Sequence, residues 1–422
     1  MIRRSIVGAA IAATLILGGC GGGGGGGNSL NTGPEALIKV PNVVSGTNFS
    51  FDISDVDSAK GRIYFTDRNN KSVDVIDIKT NTVLKQITGG FAGCNPLPTC
   101  VGAINPKSGP DGLNRIPGTT FIYVGDVNSV KIIDTQTDTV VNTIPIGGAS
   151  GFRADEGCYD PDHKIFMIAS PDEAIPFATF IDTTTQKIIA TLLFTDPGTG
   201  AGGPPSAGLE ACVYDHGTAS FLVNNDGSTA NPNGEVDVIP AAAILVGTPA
   251  APVTLTLPAI APGNGFKVFP LGNCDPTGID LGPGTDMISE CRQGTAGVPL
   301  TTQILNRTNG AVLATINLGG GDQVVYDPSL NRYYVAASRW TASGLSSGSA
   351  CTAASPCTPV LGIIDAVTRT LIANPQTGNN AHSVTVDATT HQVYMPYSSA
   401  AAPAGCSTCS NVPDGGVLVF KQ

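Results

Sequence analysis

His382 stands five residues before Asp387, at the start of a short apolar run. The same offset puts Asp52 before Asp57, Asp155 before Asp160, Glu210 before Asp215 and Asp322 before Asp327. The apolar pattern adds Asp111, and a seventh run carries Thr277 at this place, with Asp275 two residues earlier. One recurring position thus holds five acids, a histidine and a threonine. Carboxylates that converge repel one another, so they must be protonated, well solvated or neutralised by a cation. Oxygen donors of this kind suit Ca2+ or Mg2+, with Asp52, Asp111, Asp155, Glu210 and Asp322 as candidate ligands. The competing reading is structural acids in a wet opening. His382 is the candidate general acid or base for a metal-assisted reaction, or else a structural histidine.

These residues must be held by the elements that repeat. Arg62–Asp67 (RIYFTD), Ser72–Asp77 (SVDVID) and residues 81–87 (NTVLKQI) are followed by a second copy at Phe121–Asp126, Ser129–Asp134 and residues 138–144. Apolar alternation marks each run as a strand. The strand before the turn recurs at residues 178–182, 235–240, 302–306, 361–365 and 417–420. The strand after it recurs at 187–192, 253–257, 311–316 and 370–374. Units of four strands with a period of roughly 40–50 residues predict a β-propeller. Seven units give an all-β, seven-bladed propeller of four-stranded blades. The last unit stops after its third strand, while residues 36–40 form an unclaimed apolar run before the first unit. An open ring would expose sheet edges, so the N-terminal strand is expected to complete the C-terminal blade. Inner strands line a central channel, and the recurring position falls at their start. The acids are therefore expected to ring one mouth of the channel, the top face.

The second strands carry Ile122-Tyr123-Val124, Tyr333-Tyr334-Val335 and Val393-Tyr394-Met395, each before a V-x-x-I-D-type third strand. The run Ala381-His382-Ser383-Val384-Thr385-Val386-Asp387 resembles a P-H-G-I-A-V-D element, with Ala for Pro and Ser for Gly. In these features the chain after residue 35 resembles the YVTN-type β-propeller family of bacterial surface and periplasmic proteins. The resemblance implies the fold. It leaves function open between binding proteins and relatives of lactonases and lyases.

The N-terminus stands apart. Arg3 and Arg4 precede an apolar run over residues 6–17 and then Leu17-Gly18-Gly19-Cys20. This is the layout of a secretory signal. Its end resembles a bacterial lipobox, which implies cleavage before Cys20 and lipidation of that cysteine; an ordinary signal peptide with a chance cysteine is the alternative. Residues 21–27 are all glycine and behave as a tether. The expected organisation is a signal peptide over residues 1–19, the lipidated cysteine and tether over 20–34, and the propeller over 35–422. By resemblance to Gram-negative lipoproteins, Gly21 after the cysteine favours the outer membrane. A net charge of −11 argues against nucleic acid or anionic lipid as a partner. A monomer is expected.

Ten cysteines remain besides Cys20, an even number in an exported chain. Expected bridges are Cys94–Cys100, Cys274–Cys291, Cys351–Cys357 and Cys406–Cys409; the last could instead be a redox C-x-x-C. Cys158 and Cys212 fall in adjacent inner strands at opposite parity, so they either staple blades three and four or stay as buried thiols. The longest insertions, residues 89–110, 225–234, 258–274, 339–359 and 398–415, are expected at the top face. Trp340, beside Arg339 in one of them, is a candidate for stacking on a sugar or planar ligand, or for packing its loop. The expected function is a lipid-anchored cell-envelope propeller that binds a small-molecule, sugar or protein partner through this face. The alternative is a divalent-metal-dependent lactonase, other hydrolase or lyase at the acid-lined mouth.

Overall fold

The computed structural model describes residues 33–43, 49–94, 107–195, 205–260, 265–348, 356–398 and 415–422, and all that follows concerns these. Seven sheets, antiparallel but for one added edge strand, follow one another along the chain. Their inner strands are Phe51–Asp57, Leu113–Arg115, Gly157–Asp160, Leu209–Asp215, Pro276–Leu281, Val324–Asp327 and Thr385–Asp387, which number the blades one to seven. Each inner strand touches the next, and Thr385–Asp387 touches Phe51–Asp57, so the ring closes as a seven-bladed β-propeller.

The second strand of each blade is buried on both faces, as in Arg62–Asp67 and Ile165–Ser170. It therefore reads as a near-continuous apolar run. Those side chains do not meet at one centre. Seven separate apolar clusters form, and each straddles two neighbouring blades. At the junction of blades two and three, for example, the Tyr123 and Phe166 rings lie 5.0 Å apart. Because the core sits between blades, the axis stays open for polar groups.

The closure expected from the chain ends is present. Ala36–Ile38 pairs antiparallel with Gly416–Lys421, with Leu37 opposite Leu418. Ile38 is 2 % exposed and packs with Phe65 and Val419. Ile38→Asp would place an unpaired charge there. It should cost roughly 3 kcal/mol, read as a lower urea midpoint with an unchanged m-value. A neutral outcome would mean that the first strand does not hold the ring shut.

One strand is not where its pattern places it. Residues 253–257 are expected to be the outer strand of blade four. Instead Val253–Thr256 lies parallel to Lys187–Leu193, the outer strand of blade three, as a fifth strand. The outer strand of blade four is Lys267–Pro270, paired with Glu235–Pro240, inside a stretch expected to be a top-face insertion. The short helix Ala241–Ile244 carries the chain sideways after Pro240 and buries Ile244 with Leu192, which delivers Val253–Thr256 to the neighbouring edge. Apolar alternation fixes that a segment is a strand, not which sheet it joins.

Two bridges are seen in full. Cys158–Cys212 joins the inner strands of blades three and four with Cα atoms 5.5 Å apart. Cys274–Cys291 ties the entry of blade five to the end of its second strand. Cys94 and Cys357 are also disulfide-bonded. Their expected partners Cys100 and Cys351, the Cys406–Cys409 pair and Cys20 lie outside the described residues.

Candidate functional site

The inner strands begin at one end of the ring, and there the recurring position does gather. Asp52, Asp111 and Asp155, from blades one to three, present carboxylate oxygens within 4.8 Å of one another. Gly112 allows this approach: a Cβ on it would stand 2.1 Å from the Asp155 carbonyl oxygen, which its own N–H meets at 3.1 Å.

Two arginines run between these acids. Arg68, directly after the second strand of blade one, reaches Asp52 at 2.9 Å and donates from Nε to Asp111 at 2.8 Å. Arg153, in the link between blades two and three, grips Asp155 with both terminal nitrogens, at 2.7 and 3.1 Å, and holds Asp172 through Nε at 2.8 Å. Across the mouth, Arg292 does the same for blades four and five. It meets Glu210 at 3.1 Å, Asp275 at 3.3 Å and Asp226 at 3.8 Å. The charge that converging carboxylates demand is thus supplied in part by the chain itself.

The compensation is incomplete. Burial pushes Asp111 up to about 7 despite Arg68 and Arg153. Burial, then Asp226 and Asp322, push Glu210 up to about 8 against the pull of Arg292. Burial likewise raises Asp226 to about 6. Asp52 goes the other way: burial opposes its charge, but Arg68 and His382 hold it at about 2. Arg339, after the second strand of blade six, is half-buried and has no ion pair within 4 Å among the described residues. Burial lowers its pKa against the field of Asp322.

His382 is fixed on three sides. Its ring stacks on Phe51 at 4.5 Å and 6°. Nδ1 lies 2.7 Å from the Asn380 carbonyl, which only accepts, so Nδ1 carries a proton. Nε2 faces Asp52 at 3.5 Å. Burial disfavours the imidazolium, but Asp52 and Asp322 outweigh it and raise its pKa. Thr277 keeps its register yet turns its hydroxyl to the Gly321 carbonyl at 2.7 Å, a bond between blades five and six. Trp340 packs on the core between blades five and six, near Gly344, rather than beside the ring.

Sequence reasoning passed over the cations and the second layer of acids. A signal was available. Arg68, Asp226 and Arg292 each follow a second strand directly, and Asp172 and Arg339 stand two residues after one. Aligning the blades on that end, as was done for the inner strand, gathers all five.

Below the mouth the axis holds a cavity of about 320 Å3 lined by inner strands of all seven blades. Asp55 and Asp280 sit three residues past the ring position and accept backbone N–H groups of the next blade, Arg115 at 2.9 Å and Tyr326 at 2.7 Å. Cys158 holds the same place in blade three and reaches the next blade as a disulfide.

No family model and no curated protein matches the chain. Solved structures do. Hydrazine synthase of Kuenenia stuttgartiensis is 14 % identical with a TM-score of 0.57, covering 94 % of this chain and 98 % of that one. The WD40 repeats of RRP9 are 11 % identical with a TM-score of 0.58, covering 93 % and 100 %. A chain of the Mitotic Checkpoint Complex is 12 % identical with a TM-score of 0.55, covering 94 % and 97 %. At these identities the likeness shows the fold.

Proposed function

We propose that this is a lipid-anchored cell-envelope propeller of the YVTN type that binds a ligand or protein partner through its looped top face. One observation carries the reading. Cys274–Cys291 ties two segments at the same end of the ring as the charged mouth, and Cys94 and Cys357, also disulfide-bonded, lie at that end. Cys94 donates its N–H to the Arg68 carbonyl, and the Cys357 backbone pairs antiparallel with Thr341, two residues after Arg339. Loops stapled around a fixed array of charges form a pre-organised binding surface. The similar chain in the Mitotic Checkpoint Complex is an example of the fold within a protein assembly. Cys20 would tether the domain to the outer membrane through the glycine run.

The test is photo-crosslinking in the producing cell. A crosslinking residue replaces exposed Ala342, in the top-face loop, or exposed Thr80, in a turn at the opposite end. A discrete adduct from position 342 alone is expected. Equal adducts from both positions, or none from 342, would reject the face.

A divalent-metal hydrolase or lyase is the second reading, favoured by the 4.8 Å grouping of Asp52, Asp111 and Asp155. Asp322 and Glu210 would complete its ligands, with His382 as acid or base. Arg68 and Arg153 weigh against it, since they already engage those oxygens. Bound Ca2+ or Mg2+ at one per chain, with melting lowered by EDTA, would turn the choice toward it.

A further inference from the structure

Glu156 follows the ring position of blade three and lines the axial cavity with 9 % of its surface exposed. Its carboxyl has no hydrogen bond and no ion pair among the described residues. The largest charges that act on it, Asp155, Glu210, Asp52 and Asp322, are acids. Arg68, Arg153 and Arg292 are committed to other carboxylates. A buried acid left in such a field costs stability and offers a large gain to any cation that reaches it. In the neighbouring blade, Asn114 lines the same cavity, and its carboxamide also has no partner among the described residues.

We propose that the central channel receives an alkylammonium group, paired with the Glu156 carboxylate and hydrogen-bonded to the Asn114 carbonyl oxygen. The inference rests on the top-face reading and names the ligand chemistry of that face. An ammonium brings three N–H donors and asks only for acceptors within hydrogen-bond reach. A metal ion asks for several ligands drawn together, and the three-ligand grouping that qualifies is at the rim, without Glu156. Ile53, Ile279 and Val324, from blades one, five and six, also line the cavity and add apolar surface for the methylenes of the chain. The cavity, about 320 Å3, holds a four-carbon amine with room for water. The group would arrive either as a free amine or as a lysine side chain of a partner.

The experiment is calorimetric titration of the full chain with putrescine and with Nα-acetyl-lysine amide. Nα,Nε-diacetyl-lysine amide, which lacks the charge, is the control. Saturable binding of a charged probe and none of the control is expected. A response to the lysine amide alone assigns the site to a partner's lysine, and a response to putrescine alone assigns it to a free amine. Glu156→Gln removes one charge-assisted bond and should weaken binding roughly tenfold or more. The variant also removes an uncompensated buried acid, so it should melt no lower than the parent, which separates lost binding from lost folding. Absence of saturable binding by both amines, or undiminished affinity in Glu156→Gln, overturns the proposal. The small probes need no loop contact, so the channel and the looped face can fail independently.

Discussion

Replacing Arg153 by methionine should destabilise the propeller by about 3–5 kcal/mol near pH 7.5, the range for breaking a buried ion pair from one side. Arg153 is 7 % exposed, and its guanidinium serves Asp155 and Asp172 directly and Asp111 at 3.7 Å. Methionine fills much of the same volume, so the loss isolates charge and hydrogen bonds from packing. Three carboxylates from two blades and their links would then face one another with Arg68 alone among them. Arg153→Lys keeps the charge but not the planar fork that grips Asp155 with two nitrogens, and should recover only part of the loss. A surface pair gives the contrast. Arg62 meets Asp138 at 3.1 Å with a more exposed side chain, and Arg62→Ala should cost no more than about 1 kcal/mol. Urea unfolding of the three variants decides the matter. Equal, small losses at Arg153 and Arg62 would show that water at the mouth screens the whole network.

The network also shows what a sequence can carry. The ring of acids was legible because the inner strands of five blades end in an Asp that serves as a ruler. The residue five places earlier then lands at the mouth in every blade where the ruler exists. In blade two, where no such Asp stands, Asp111 was still found from its apolar pattern and does meet Arg68. Register and parity brought Cys158 and Cys212 together but left a bridge and two buried thiols both open, and the structure shows the bridge. Arg153 was hidden for the opposite reason. Arg153 lies in a link with no period, and its reach to three acids depends on a long side chain folding back between blades. Val253–Thr256 shows a further limit. Its alternation is as good in blade three as in blade four, and only the helix before it decides which edge it meets. Thr277 kept its register but turned to a neighbouring carbonyl, because a hydroxyl too short to cross the mouth satisfies itself locally. Trp340 was placed in its loop by sequence, and the apolar cluster beneath it determines where it packs.

Stability should fall as pH rises from about 5 to about 8. The groups concerned are Asp111, raised to about 7, Glu210, to about 8, and Asp226, Asp74 and Asp280, each to about 6, all chiefly by burial. An acid whose folded pKa is raised holds its proton in the native state at a pH where the unfolded chain has released it. The native state then binds more protons than the unfolded state between pH 4 and 8, so the slope of stability against pH is negative there. His382 acts in the same sense. Its pKa is raised on folding, so its contribution is complete at low pH and is lost as pH climbs through the folded value. Asp52 opposes the trend only in acid. Held at about 2, it supplies its full stabilisation once pH exceeds the unfolded value near 4 and loses it only as pH falls toward 2. The stability maximum is therefore expected near pH 5, below the neutral optimum of a protein dominated by satisfied ion pairs. Glu210→Gln tests the cause. It removes a strongly raised acid at the mouth while an amide oxygen can still accept from Arg292. The variant should match the parent near pH 5 and exceed it at pH 8, which flattens the profile. A parent profile that is level or rising between these values would mean that the mouth acids are ionised in the native state, with solvent or a bound cation balancing their charge.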